Sequence, residues 1–177
     1  MANRYPIKNP TVDVAVERDG RVLLAHKDED GVGQWRLIGG HIDANETAEQ
    51  AGRREVQEEA GLTCHSLEYI TSVGIPDWRY TNSGDGIFTT FFAARYGAGP
   101  IQAADDVQAV DWFDITELSE QRIVPEHHVL LDAYLRFRNI RGTIETVNAD
   151  RTVTVQEFEH IDGEKMIVSP TPAPEEN

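Results

Sequence analysis

Glu55, Glu58 and Glu59 stand at spacings i, i+3 and i+4. On a helix these positions share one face, so the three carboxylates crowd together and repel unless a cation intervenes. Hard oxygen donors of this kind suit Mg2+ or Mn2+, ions that also bind phosphate oxygens and retain several waters. The chemistry implied is metal-assisted binding of a phosphorylated substrate. Alone, however, an acidic helical face is more often a solvated surface, so the neighbouring residues decide.

Those neighbours define the helix first. Thr47-Ala48-Glu49-Gln50 reads as a capping box, and Gly61 as the stop just past the last turn. Gly52 inside the helix costs about 1 kcal/mol relative to alanine and is expected where another backbone element packs closely. The same stretch forms a longer pattern: Gly40, five residues, Glu46, seven residues, Arg54-Glu55-Val56, one residue, Glu58-Glu59, one residue, Gly61-Leu62. This pattern resembles the complete Nudix box. With residues treated as independent at typical frequencies, chance produces it on the order of once in a billion starting positions.

The resemblance implies an α/β fold, an α/β/α sandwich with a mixed sheet in which the box forms loop, helix and loop. It also implies that Glu55, Glu58 and Glu59 ligate one or more Mg2+ ions with the backbone carbonyl of Gly39, while Arg54 and Glu46 orient the carboxylates through charge-assisted bonds. A diphosphate bridge is anionic and hydrolyses slowly, so catalysis needs charge neutralisation and a positioned water. Either Glu55 or Glu58 would take the water's proton. Asp106 stands six residues before Trp112, a placement from which relatives often reach the metals; otherwise it is an exposed turn aspartate. Glu126 is a weaker competitor, explained equally by placement near a helix N-terminus.

Several elements must position these groups. Apolar runs Val12 to Val16 and Val22 to Ala25 flank Arg18-Asp19-Gly20-Arg21, a hairpin signal. A polar loop from Lys27 to Gly33 and a short strand Trp35 to Ile38, stopped by Gly39-Gly40, lead into the helix. Further strands are expected at Leu67 to Val73, Ile87 to Tyr96 and Val107 to Phe113. Pro125 opens a second helix with Val129, Leu130, Ala133, Tyr134 and Phe137 at helical spacing. His127 and His128, adjacent in its first turn, point about 100° apart and are poorly placed to chelate one ion. Short strands at Thr143 to Val147, Thr152 to Phe158 and Lys165 to Val168 form a C-terminal β appendage. The domain organisation expected is therefore 1–141 for the catalytic domain, 142–168 for the appendage and 169–177 for a disordered tail. The appendage has pairing edges that call for packing on the core or for a second chain, as in a homodimer.

Composition narrows the function. The 177 residues carry a formal net charge of −15, which disfavours long nucleic acid as a partner because phosphate neutralisation needs clustered Lys and Arg. Cys64 is the single cysteine; it excludes an intramolecular disulfide, agrees with a reducing compartment and reads as a core filler. No apolar run reaches the length of a membrane span and no signal peptide is indicated, so a cytoplasmic protein with no membrane partner is expected.

The substrate expected is a small nucleotide. Outside the box, Asn9-Pro10-Thr11-Val12-Asp13-Val14-Ala15, Ala104-Asp105-Asp106 and Pro125-Glu126-His127-His128 are similar to the ADP-ribose pyrophosphatase-like branch. That likeness implies cleavage of ADP-ribose to AMP and ribose 5-phosphate. Nucleoside triphosphates, dinucleoside polyphosphates and capped RNA ends are alternatives, as is a non-catalytic nucleotide-sensing module, although such modules often carry a degraded box. Arg79 could bind a terminal phosphate and Tyr80 or Trp78 could stack on a base, or all could pack at a strand end. Trp35 and Arg36, next to the metal loop, have the same two readings.

Overall fold

A two-residue turn sets the first hairpin. Strands β1 (Lys8–Arg18) and β2 (Arg21–Glu29) are joined through Asp19 and Gly20, whose φ angles of 50° and 73° are both positive. That combination matches the right-handed twist of the paired strands and pairs Arg18 with Arg21. The computed structural model describes residues 8–29, 32–75, 85–118, 123–138, 141–147, 153–161 and 164–168. The chain divides into two units, Met1–Tyr134 and Leu135–Asn177.

In the first unit β1 is central and its residues Thr11 to Val16 are buried without alternation, as expected of a strand covered on both faces. It runs parallel to β6 (Gly86–Ala98), and β6 pairs antiparallel with β5 (Thr63–Ile75). On its other edge β1 is shared. Residues Thr11 to Val14 pair with β4 (Ile38–His41), whereas Glu17 and Arg18 pair with β2, which continues to β3 (Val32–Arg36) and β7 (Ala109–Asp114). The sheet is therefore mixed.

Helices cover both faces. Val12, Val14 and Val16 of β1 join Leu23, Ala25 and Ile38 in a core with Ala51, Val56 and Ala60 of α1 (Ala48–Ala60). Each fully buried valine or leucine there contributes about 1.5–3 kcal/mol. The intervening residues of β1 face the other way: Tyr134 of α2 (His128–Arg138) donates a 2.6 Å hydrogen bond to Glu17, and His127 of the preceding 3-10 turn (Pro125–His127) lies 3.7 Å from Asp13. These contacts make the α/β/α sandwich.

Helix α1 is capped as its sequence predicts. Thr47 Oγ1 accepts from the Gln50 amide at 3.2 Å, and Gln50 Oε1 accepts from the Thr47 amide at 2.8 Å. Gly61 ends it in the left-handed region at φ 70°, with its amide bonded to Gln57. A β-carbon at Gly61 would have its nearest neighbours at 3.5 Å, so there is room for one and only conformational strain opposes it. Gly61→Ala should therefore cost about 1–2 kcal/mol, lowering Tm by about 2–4 °C per kcal/mol in a chain of this size. A thermal melt indistinguishable from wild type would show that the cap carries no strain.

Three local expectations change. The stretch from Lys27 to Gly33 is not a loop throughout, because β2 extends to Glu29 and pairs it with Val32 of β3; tertiary pairing outweighs the low strand propensity of Lys, Asp and Glu. Gly39-Gly40 does not stop a strand but lies within β4, opposite Asp13 and Val12. A β-carbon at Gly39 would sit 2.2 Å from the Val12 carbonyl oxygen, so glycine permits this backbone approach. At Gly52 the close neighbours are side chains rather than backbone: Val14 Cγ2, Leu67 Cδ2 and Val12 Cγ2 would lie 3.0, 3.1 and 3.4 Å from a β-carbon.

In the second unit, β8 (Arg141–Val147), β9 (Val153–Ile161) and β10 (Glu164–Val168) form an antiparallel three-stranded sheet in the order β10-β9-β8. All three appendage strands expected from sequence are present in it, apart from Thr152, which lies outside the described residues. Residues 148–150, 162–163 and the tail 169–177 lie outside the described residues. Among the described residues no helix is long and apolar enough to cross a membrane.

Candidate active site

Arg54 organises the outer half of the site. Its Nε and Nη2 each donate to Glu46 at 3.0 Å, Nη1 donates to Glu55 at 2.8 Å and to Glu58 at 2.9 Å, and Nη2 also reaches the His41 carbonyl at 2.9 Å. The planar fork of arginine suits this bidentate grip; a lysine could not reproduce it. The hydrogen bonds to Glu46, with those to Glu58 and Glu55, hold the guanidinium proton more tightly than usual despite partial burial. Reciprocally, Arg54 keeps the Glu46 carboxyl below its ordinary range. Glu46 is thus linked through Arg54 to Glu55 and Glu58, and its second tie is to the Asp43 amide at 3.1 Å.

The inner half is buried. Glu59 is 1% exposed, and its Oε2 accepts from the Gly39 amide at 3.2 Å. Its other oxygen lies 2.6 Å from Lys27 Nζ, which also lies 2.7 Å from Asp106. Burial raises the Glu59 carboxyl to about 7, although Lys27 and the Gly39 amide pull it down. For Lys27 the attraction of Glu59 and Asp106 outweighs burial and raises its pKa. Glu55, 8% exposed, is also raised, mainly by burial and against the pull of Arg54. Its carboxylate packs so closely on Gly40 that a β-carbon there would lie 2.4 Å from Oε1. The glycine pair therefore leaves space for the Glu55 carboxylate at Gly40 and for strand β1 at Gly39.

A divalent ion fits this donor set chemically. Glu55 and Glu59 are carboxylates placed where burial penalises their charge, and each already has a cation against it, so the surroundings favour positive charge. Among the described residues no group of three His, Cys, Asp or Glu converges into a preformed metal cage. Mg2+ does not require one, since it is commonly held by one or two carboxylates and completes its shell with water and phosphate.

The remaining expected residues are distributed around this centre. Glu58 is half-exposed and tied to Arg54. Asp106 is brought to Glu59 through the shared ammonium of Lys27. Trp35 pairs in register with His26, on the face away from Leu23, Ala25 and the glutamates, and packs edge-on against His26 and Phe113 with ring centroids 5.2 and 4.6 Å away. Arg36 is half-buried, and its charge bears on Asp13. Trp78, Arg79 and Tyr80 lie outside the described residues. His127 and His128 diverge as expected: His127 Nδ1 accepts from the Leu37 amide at 3.3 Å, while His128 Nε2 is 3.0 Å from the Ile123 carbonyl. Cys64 is buried in the core.

Sequence reasoning missed two polar groups. Lys27 continues the inward-facing series Leu23, Ala25, and a lone cation at such a period-two position is a readable signal. Asp13 interrupts a run of apolar residues and is 5% exposed; Thr89 Oγ1 donates to it at 2.6 Å. Burial raises its carboxyl to about 7, opposed by Thr89, Arg36 and Lys27. Because the folded protein holds this proton up to about pH 7 and the unfolded chain releases it near pH 4, stability from this group is greatest in acid and is lost as pH rises through that window. The loss is on the order of 4 kcal/mol. Urea unfolding of Asp13→Asn should therefore gain relative to wild type between pH 4.5 and 7.5; parallel pH profiles would count against a protonated Asp13.

Comparison with known proteins agrees with this fold. The family profile described as NUDIX domain matches residues 8–134. The chain is 33% identical over 149 residues to the NAD-capped RNA hydrolase NudC of Pseudomonas aeruginosa, an alignment covering 82% of this chain and 50% of that protein. It thus spans about half the length of that curated relative. Among solved structures, the MutT Nudix hydrolase of Burkholderia pseudomallei matches with TM-score 0.62 and 24% identity over 73% of this chain and 98% of the other. The Nudix domain of Shewanella oneidensis NrtR, complexed with ADP ribose, matches with TM-score 0.60 and 22% identity over 75% and 89%. These two similarities speak to the fold. With a profile covering most of the chain and an intact box on a capped helix, the chain belongs to the Nudix family of hydrolases.

Proposed function

We propose that the protein hydrolyses the diphosphate bond of a nucleoside diphosphate derivative, with Glu55, Glu58, Glu59 and Asp106 serving Mg2+ or Mn2+ and the Gly39 carbonyl assisting. The observation that carries this is the convergence of Glu55 and Glu59 on Gly39-Gly40, with Arg54 and Lys27 neutralising them. When bound, the divalent ion would offset phosphate charge and lower the pKa of a bound water. Arg54 and Glu46 fix the carboxylates in place. Glu55 or Glu58 accepts the proton of the attacking water; Glu58 is the more open to solvent, and Glu55 is the more tightly held. Water oxygen bonds to one phosphorus as its bond to the bridging oxygen breaks, leaving two phosphate monoesters.

The substrate favoured is an ADP-ribose unit, either ADP-ribose itself or the same unit within NAD(H). The NudC relative is named for NAD caps and the NrtR domain is complexed with ADP ribose. Both compounds carry a diphosphate between an adenosine and a second ribose. Long RNA fits less well with a net charge of −15. Arg36, Arg79 and Tyr80 are the candidates for holding the substrate, whereas Trp35, expected among them, packs on His26 and Phe113 on the face away from the glutamates; a cytoplasmic location suits such nucleotides.

Incubation of the full chain with Mg2+ and ADP-ribose, NADH, nucleoside triphosphates, a dinucleoside polyphosphate and an NAD-capped oligonucleotide tests this. AMP with ribose 5-phosphate from ADP-ribose, or AMP with reduced nicotinamide mononucleotide from NADH, is the expected result. Exclusive turnover of triphosphates or dinucleoside polyphosphates would move the substrate class. Binding without any turnover would place the protein among nucleotide-sensing modules.

A further inference from the structure

We propose that Lys27 and a divalent ion compete for the same oxygens of Glu59 and Asp106, so that binding of the ion displaces the ammonium from both carboxylates. The proposal rests on the reading of those two carboxylates as metal ligands. Lys27 Nζ lies 2.6 Å from Glu59 and 2.7 Å from Asp106, joining three separate segments: β2, α1 and the turn before β7. The arrangement is built by the sheet. Pairing of β2 with β7 continues into the turn through the Gln108 amide on the His26 carbonyl at 2.9 Å and the Asp28 amide on Gln108 Oε1 at 2.7 Å. These bonds seat Asp106 beside Lys27.

A buried carboxylate without a cation is costly, and the Glu59 side chain is 1% exposed while that of Lys27 is 13% exposed. The ammonium therefore neutralises a buried carboxylate that would otherwise lack a cation. Two cations cannot share these oxygens without strong repulsion. A lysine, as a point charge on a flexible four-carbon stem, can turn away where an arginine fork would be harder to dislodge. Once displaced, Nζ has lost both carboxylate partners, and the phosphates of an arriving nucleotide would supply a new anionic one. Metal and nucleotide should consequently bind with positive coupling, and Lys27 is the group that transmits it.

Calorimetric titration of Mn2+ into wild type and Lys27→Met, with and without ADP as the probe, tests the competition. Lys27→Met should bind Mn2+ alone more tightly, by a factor on the order of ten, and should lose most of the tightening that ADP produces in wild type. Equal or weaker Mn2+ affinity in Lys27→Met would overturn the proposal while leaving the metal site standing. Absence of Mn2+ binding in both proteins, or unchanged binding in Glu59→Gln, would instead overturn the metal reading and the proposal with it. A measurement on wild type avoids dependence on the variant's folding. Reductive methylation followed by mass spectrometry should modify Lys27 faster in Mg2+ than in EDTA, with Lys8 and Lys165 as internal references. An unchanged Lys27 rate in a sample that binds the ion would also overturn it.

Discussion

Glu58→Gln should lower kcat/KM for the diphosphate substrate by a factor on the order of 10² to 10⁴, the range expected for loss of a general base, while leaving the thermal transition nearly unchanged. The half-exposed side chain makes its hydrogen bond to Arg54, with one oxygen, and glutamine retains an acceptor for it. Glu55→Gln should reduce activity comparably but also disturb the fold's interior. That carboxylate is buried against Gly40 and bonded to the same guanidinium. Metal dependence separates the two roles. If a carboxylate serves as a ligand, raising Mn2+ should restore part of the lost rate; if it serves as the base, saturating metal should restore none, and the pH-rate profile should lose its acidic limb. Full activity in Glu58→Gln at low metal would remove Glu58 from the site.

Alanine at the two adjacent glycines should produce opposite phenotypes. At Gly39 a β-carbon would meet the Val12 carbonyl oxygen at 2.2 Å, and backbone in the middle of a buried strand cannot yield. The β1–β4 pairing must separate, at a cost of about 3 kcal/mol or more, with loss of the amide bond that holds Glu59. At Gly40 the obstruction is the Glu55 carboxylate at 2.4 Å, the far end of a flexible side chain. It can move aside, so Gly40→Ala should fold with a smaller stability loss but give weak metal binding and low activity because Glu55 has left its place. Urea unfolding measured alongside Mn2+ affinity distinguishes them. A Gly40→Ala protein with wild-type activity would show that Glu55 is not needed where it stands.

Contrasts of this kind mark where the sequence was legible. The capping box of Thr47 and Gln50, the Gly61 stop and the Asp19-Gly20 turn form as read, because each is decided by residues within four positions of one another. The glutamate face follows from the same short spacing, and the Arg54 bonds to Glu55 and Glu58 are those that the resemblance to the Nudix box implies. The strands were found but their ends were not. Lys27, Asp28 and Glu29 look like loop residues until β3 pairs with them, and Gly39-Gly40 looks like punctuation until β1 lies alongside.

What the sequence by itself determined, then, was the helix, its caps, the identity of its acidic face and the family to which that face belongs, all of them written in contacts between near neighbours. Only the tertiary structure decided that Lys27 meets Glu59 and Asp106. The Gly39 amide reaches Glu59 across 20 residues, Thr89 reaches Asp13 across 76, and His127 reaches the Leu37 amide across 90. Lys27 joins Glu59 and Asp106 only after β2 has taken its place in the sheet. No local spacing encodes such meetings, because strand pairing and the packing of helices on opposite faces set the distances between segments remote along the chain.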